Sequence, residues 1–309
     1  TLRRDVETFG RHARVEYTDD WRADAARRDF TMNALYVDEE GGVYDYFGGA
    51  EDAKVGRVRF IGDARQRIQE DVLRILRFFR FYACFGKGEA DKEAVSACRE
   101  LAPQVSKLSA ERIAREFLKL LAAPQPLAAL ECMTACGVEK HFLPEMTDFD
   151  RLKILLENEN DYSAGADPLT RFAALLPQEA KTARAAARRL KLSNKDAEKL
   201  EVLAELPRRL SRDWGVKAVR AALYDDGKEN VRAALLLTKG DIKEGLDAVE
   251  TWENPVFPVT GKDLKERGVS AGPEMGNILK QLEKHWQEND FSPGRQALLD
   301  RAMGVGKNP

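Results

Sequence analysis

The stretch Glu70-Asp71-Val72-Leu73-Arg74-Ile75-Leu76-Arg77-Phe78-Phe79-Arg80-Phe81 restricts the fold more than any other part of this chain. Ile68, Val72, Ile75, Leu76 and Phe79 keep a 3.6-residue spacing, while arginine recurs at every third position on the opposite side. Only an amphipathic helix buries the first set and solvates the second. The spacing predicts one continuous helix along which Asp71, Arg74, Arg77 and Arg80 drift slowly around one side.

Helical periodicity then continues almost without relief from about residue 63. Ser109-Ala110-Glu111-Arg112 has the form of a helix cap ahead of Ile113, Phe117, Leu118, Leu120 and Leu121, with Pro124 and Pro126 as the stop. Further helical segments are expected at about 127–137, 148–158, 167–176, 178–191, 194–205, 213–225, 228–237 and 240–251. The Pro-bounded stretch Asn254–Pro258 interrupts them, and a last unit runs from Thr260 through Trp286. Upstream, Thr31–Val37 and Val43–Phe47 flank a Glu39-Glu40-Gly41-Gly42 turn and read as a β-hairpin. Residues 1–29 mix both charge signs with few apolar residues and read as a mobile or solvated segment.

The 309 residues suffice for two or more domains. The formal net charge of -2 excludes a global positive field, so any nucleic-acid contact must come from a local basic surface. Cys84, Cys98, Cys132 and Cys136 show no zinc-type pairing, and free thiols in a reducing, cytoplasmic setting fit them. His12, His141 and His285 are scattered. No apolar run approaches membrane-spanning length.

Asp71 and Arg74 carry a specific chemistry. Cytosine and adenine each present an amino donor beside an unprotonated ring nitrogen; uracil and guanine reverse that order. A carboxylate beside a guanidinium therefore matches C and A and opposes U and G. A mismatch leaves buried polar groups unpaired, at roughly 1–3 kcal/mol each. Arg77 and Arg80 would then face a triphosphate, which guanidinium groups grip in bidentate fashion. The same spacing also suits a plain surface ion pair worth about 0.2–0.5 kcal/mol.

Several blocks in order resemble the class II nucleotidyltransferases, the bacterial CCA-adding enzymes and their poly(A) polymerase relatives. Arg27-Arg28-Asp29-Phe30-Thr31-Met32-Asn33-Ala34 resembles the RRDFTxNA block, and Asp45-Tyr46-Phe47-Gly48-Gly49 the D-x-x-G-G turn. Glu70-Asp71-x-x-Arg74 is similar to the EDxxR amino-acid template. Ser109–Lys119 resembles the neck-helix motif, and Thr260–Leu264 with Gly272-Pro273 resembles the tail. The resemblance spans almost the whole chain.

It implies an α+β fold: the remnant of a small α/β nucleotidyltransferase head, followed by a long all-helical neck, body and tail. The expected divisions are 1–62 (head and flexible loop), 63–123 (neck), 124–252 (body) and 253–309 (tail). Arg28 is expected to bind triphosphate and Asp29 the ribose, with Asn33 orienting their turn and Glu70 holding Arg74. Arg3, Arg4 and Asp5 would assist the switch from C to A in the flexible loop. The implied activity adds CCA to tRNA 3′ ends from CTP and ATP with Mg2+. The tRNA acceptor arm would lie along the cations of 181–199, chiefly Lys181, Arg184, Arg188 and Arg189.

One departure stands out. The family's glycine-rich turn and metal-binding D-x-D pair lie ahead of the flexible loop, and no such block occurs in this sequence. Asp19, Asp20 and Asp24 are not assigned as metal ligands. The chain as written is either an N-terminally shortened copy or one part of a longer protein, and by itself it is expected to bind nucleotide weakly and transfer nothing. The alternatives are a poly(A) polymerase of the same superfamily and a non-catalytic RNA-binding helical protein.

Overall fold

A computed structural model describes residues 3–9, 12–17, 19–212 and 215–305, with side chains at 17, 19–211 and 215–302. The chain forms two compact units, Thr1–Glu205 and Leu206–Pro309.

The first unit opens with a hairpin. Strands β1 (Arg3–Phe9) and β2 (His12–Tyr17) pair antiparallel, with a register shift between Asp5 and Glu7. Helix α1 (Trp21–Ala26) follows, capped by Asp20, which accepts from the Arg22 and Ala23 amides at 2.9 and 3.1 Å. Among the described residues of 1–29, regular strand and helix stand where a mobile or solvated segment was expected. Two buried residues, Asp24 and Ala25, anchor α1, and Asp24 brings its own charged partners. The side chains of Arg3, Arg4, Asp5 and His12 lie outside the described residues.

A 3-10 turn (Thr31–Asn33) leads into β3 (Leu35–Val37), which pairs antiparallel with β4 (Val43–Asp45) in the expected hairpin. Asp38 closes it by accepting from the Glu40 and Gly42 amides. Helix α2 (Gly49–Val55) starts from Gly48, at φ 76°. Gly49 is required by contact rather than by φ. A Cβ there would lie 2.1 Å from the Thr31 carbonyl oxygen. The Asp45 carboxylate accepts from the amides of Phe47, Gly49 and Ala50, satisfying the start of α2.

The remaining helices of this unit are α3 (Ala64–Glu70), α4 (Arg74–Phe85), α5 (Lys92–Leu101), α6 (Ala110–Leu121), α7 (Pro126–Ala135), α8 (Asp150–Asp161), α9 (Pro168–Ala174), α10 (Ala180–Arg189) and the start of α11 (Asn194–Arg212). Phe30, Phe60, Phe78 and Phe81 pack ring against ring at 4.8–6.4 Å and join the head segment to α4. Behind them, Phe117, Phe142 and Phe172 form a second aromatic contact set. The deepest ion pair is Arg171–Glu159 at 2.6 Å. Arg171 also donates to the carbonyls of Leu121 and Ala123, where the end of α6 leaves acceptors unmet.

Three sequence expectations need correction here. The continuous helix through residue 71 is broken: α3 ends at Glu70, Asp71 is extended (φ -149°, ψ 106°), and α4 begins at Arg74. Asp71 accepts from the Leu73 amide at 3.1 Å, so its side chain competes with the helical ladder at that point. Ser109 occupies the position before α6, but its side chain makes no capping bond. The segment expected at 194–205 continues through Pro207 to Arg212, its course fixed by buried Leu206 and Leu210.

In the second unit, the two helices expected at 213–225 and 228–237 lie within α12 (Val216–Leu236) and are separated at Gly227, whose backbone leaves the helical region (φ 76°, ψ 162°). Helices α13 (Lys243–Thr251), α14 (Gly261–Glu266), α15 (Pro273–Glu288) and α16 (Arg295–Val305) complete it. Val259, Leu264, Leu282, Trp286 and Leu298 form its core, with Tyr224 and Phe291 packed on Trp286. Thr260 and Asp263 form a reciprocal capping box at the start of α14. No helix among the described residues is long and apolar enough to cross a membrane.

Candidate nucleotide-binding site

The turn Arg27–Asp29 and the segment Glu70–Arg77 are 40 or more residues apart in sequence, and side-chain bonds bring them together. Asp24, only 1% exposed, is the internal anchor. It accepts from Arg27 at 2.6 and 2.9 Å, from Arg28 at 3.1 and 3.3 Å, and from the Tyr36 hydroxyl at 2.6 Å. Arg28 also donates to the Asn33 carbonyl at 3.0 Å and lies over the Tyr36 ring at 5.1 Å. Burial works against the Arg28 charge, but the bonds to Asp24 and Tyr36 outweigh it and hold the guanidinium above its ordinary pKa. Arg28 is thus a fixed cation at the surface of the turn.

Asp29 is 5% exposed and engaged from three sides. The Phe30 amide and the Asn33 side-chain amide each donate to it at 3.1 Å, and Arg77 donates at 2.5 Å. Arg77 therefore reaches the Asp29 carboxylate, which corrects the expectation that it faces a triphosphate directly. Arg80 departs further. It donates to buried Glu116 of α6 at 2.6 Å and stacks over Phe81 at 4.6 Å, tying α4 to α6.

Glu70, Asp71 and Arg74 straddle the break between α3 and α4. Glu70 accepts from Arg74 at 2.6 Å and from Arg67 at 2.5 Å. Arg74 also donates to the Arg67 carbonyl at 2.7 Å and lies 3.4 Å from the Arg27 carbonyl. The Asp71 carboxylate is bonded to Arg112 of α6 rather than to the Arg74 guanidinium: Arg112 Nη2 lies 3.0 and 2.9 Å from its two oxygens. Oδ1 also takes the Leu73 amide, so Oδ2 carries the lighter load. The acceptor and donor expected side by side are present, each held by its own partner.

Sequence reading missed Asp24, Arg67 and Arg112 as members of this site. Asp24 lies four residues before Arg28 and Arg67 three before Glu70, so helical spacing contained both signals. Arg112 had only its place in the neck motif, 41 residues from Asp71.

The expected RNA-contacting cations sit on α10. Lys181, Arg184, Arg188 and Arg189 are all exposed, but Arg184 is paired with Glu201 and Arg189 with Glu145. Nearby, Lys191 pairs with Glu111 at 2.8 Å and Lys199 with Asp167 at 3.0 Å. Cys132 and Cys136 lie one turn apart at the end of α7. Among the described residues, no group of three or more His, Cys, Asp or Glu side chains is arranged to hold a metal ion.

A head followed by a helical neck, with an arginine–carboxylate site where they join, is the arrangement of a nucleotidyltransferase. The family model described as the poly A polymerase head domain matches residues 1–59, and that of the probable RNA and SrmB-binding site of polymerase A matches residues 89–150. The zebrafish (Danio rerio) mitochondrial CCA tRNA nucleotidyltransferase 1 is 35% identical over 97% of this chain and 71% of its own length. The CCA-adding enzyme of Streptococcus sanguinis is 32% identical over 89% of this chain and 70% of its own. A crystal structure of the Bacillus stearothermophilus CCA-adding enzyme in complex with CTP shares the fold, with a TM-score of 0.78 at 24% identity over 99% of this chain and 78% of that one. The Thermotoga maritima CCA-adding enzyme complexed with tRNA gives 0.65 at 18% identity, over 93% of this chain and 74% of its own. This chain belongs to the CCA-adding tRNA nucleotidyltransferase family.

Proposed function

We propose that this protein adds C, C and A to the 3′ ends of tRNA from CTP and ATP, with Asp71 and Arg74 reading the incoming base in place of a nucleic-acid template. The observation that carries this reading is the joining of the Arg28–Asp29 turn to the Glu70–Arg74 segment through Arg67, Arg74 and Arg77. One segment offers a fixed cation for phosphate; the other offers an acceptor and a donor that match cytosine and adenine. The names of the relatives and of the nucleotide- and tRNA-bound structures support the same reading.

In this proposal Arg28 meets the triphosphate and Asp29 the ribose, with Asn33 and Arg77 fixing the Asp29 carboxylate. Glu70 orients Arg74. Arg80 is assigned to the α4–α6 contact instead of the nucleotide. The segments 1–62, 63–123, 124–252 and 253–309 serve as head, neck, body and tail, and the protein works in the cytoplasm. The exposed Lys181 and Arg188, with Arg184 and Arg189 beside them, offer phosphate contacts to a tRNA acceptor arm. Magnesium is the expected ion of such a transfer. The described residues do not provide a site that fits it, so none of them is assigned as its ligand.

The test is incorporation into tRNA lacking its terminal CCA by the full-length protein. Addition of both CTP and ATP is expected. Incorporation of ATP alone rejects the reading in favour of a poly(A) polymerase.

A further inference from the structure

We propose that Arg67 is a positioning residue that couples base reading to triphosphate placement, so that the two halves of the site respond as one. The inference rests on the function proposed above. Arg67 is 11% exposed and splits its guanidinium between the two halves. Nη2 donates to the carbonyls of Arg27 (2.6 Å) and Arg28, the peptides that carry Arg28 and Asp29. Nη1 donates to Glu70 Oε2 at 2.5 Å, the same oxygen that accepts from Arg74 at 2.6 Å. The Arg67 carbonyl in turn accepts from Arg74 at 2.7 Å.

These bonds make a closed chain: Arg74 to Glu70, Glu70 to Arg67, Arg67 to the peptides at 27–29. The guanidinium is planar and its N–H directions are fixed relative to each other. A shift of Glu70 that follows Arg74 as it engages a base therefore turns Nη2 against the two carbonyls. Low exposure strengthens each bond and excludes water from substituting for it. Arg74 also donates to Glu70 and to the Arg27 carbonyl, but its bond to that carbonyl is the long one at 3.4 Å.

The test is a double-variant cycle on nucleotide binding. Calorimetric affinities for CTP and UTP are measured for this chain and for Arg28→Ala, Arg74→Ala and their combination, each with Arg67, Arg67→Met or Arg67→Lys. With Arg67 present, the double variant is expected to lose about five- to tenfold less CTP affinity than the product of the single losses. With Arg67→Met the losses should multiply. Arg67→Lys keeps one nitrogen for the two carbonyls but cannot also reach Glu70, so it should fold like the parent and also give multiplying losses. A strap that only supports the fold would weaken every nucleotide and leave the non-additivity intact. Undiminished non-additivity in Arg67→Lys, or none in the parent, overturns the proposal. Equal binding of CTP and UTP by the parent overturns the template reading and this inference with it; preference for CTP with persistent coupling in Arg67→Lys overturns the inference alone.

Discussion

Arg112 Nη2 sits almost equidistant from the two carboxylate oxygens of Asp71, at 3.0 and 2.9 Å, across 41 residues of sequence. A nitrogen in that position takes the inner lone pairs of both oxygens, and the Leu73 amide adds to the load on Oδ1. Asp71 is thereby fixed in rotation, and Oδ2 is left as the oxygen with acceptor capacity to offer an incoming amino group. Arg112→Met should leave the carboxylate free to rotate. The preference for CTP and ATP over UTP and GTP is expected to fall about tenfold, in line with loss of one charge-assisted hydrogen bond. Competition binding with all four nucleotides checks this; unchanged preference would remove Arg112 from the recognition edge.

Arg74 and Arg28 should differ in the same assay. Arg74→Ala is expected to erode discrimination between bases, whereas Arg28→Ala should weaken all four nucleotides and change discrimination only by the smaller amount passed through Arg67, because a phosphate contact itself carries no base information. Identical loss profiles for the two variants would defeat the template reading.

Gly49 tests the packing of the head. A methyl group there meets the Thr31 carbonyl oxygen at 2.1 Å, and a backbone atom cannot swing aside. Gly49→Ala should lower stability by about 2–3 kcal/mol, as overpacking does in tight interiors. Thermal unfolding followed by circular dichroism reads the change, and a melting point within a degree of the parent would contradict the contact.

Asp45 gives a pH-dependent expectation. Burial pushes its carboxyl up, but the amides of Ala50, Gly49, Phe47 and Gly48 outweigh burial and hold it below the ordinary carboxylate range. A depressed folded-state value stabilises the fold above the unfolded-state pKa, and that contribution fades as pH falls through the folded-state value. Asp45→Ala should therefore cost about 1 kcal/mol at pH 7, and the gap from the parent should close at strongly acidic pH. A constant difference between pH 7 and pH 2.5 in denaturant titrations would refute the assignment.

Arg171 and Glu159 form a buried pair whose halves are not interchangeable. Glu159→Gln leaves Arg171 charged among the carbonyls of Leu121 and Ala123, and a loss of roughly 3–5 kcal/mol is expected. Replacing both by leucine and methionine should recover part of it. Chemical denaturation of the single and double variants distinguishes charge burial from lost volume.

Much of this architecture was legible because it is written locally. The 3.6-residue stripe through Ile75, Leu76 and Phe79 marked α4 and the Glu39–Gly42 turn marked the β3–β4 hairpin, whereas the paired glycines read only as a turn and the helix α2 that follows them was missed. The site was legible as two motifs but not as one assembly. Nothing in a linear pattern shows that Asp29 meets Arg77 or that Asp71 meets Arg112, since each contact follows from chain reversals set by the aromatic core. Periodicity also carried the helix through Asp71, because spacing measures the side chains that face inward and is blind to a carboxylate that competes for backbone amides. Asp24 was hidden by composition: a charged stretch reads as solvated until its counter-ions are known to converge on one buried oxygen pair.

The interruption at Asp71–Leu73 has a consequence for anyone rebuilding this region. Glu70 and Arg74 belong to different rods, and their ion pair works as a stitch over an elbow. Three alanines in place of 71–73 would favour a single straight rod, swinging the first arm out of line and drawing Arg67 away from the Arg27 and Arg28 carbonyls that it now meets. A transplanted motif would need its elbow and its stitch as well as its letters.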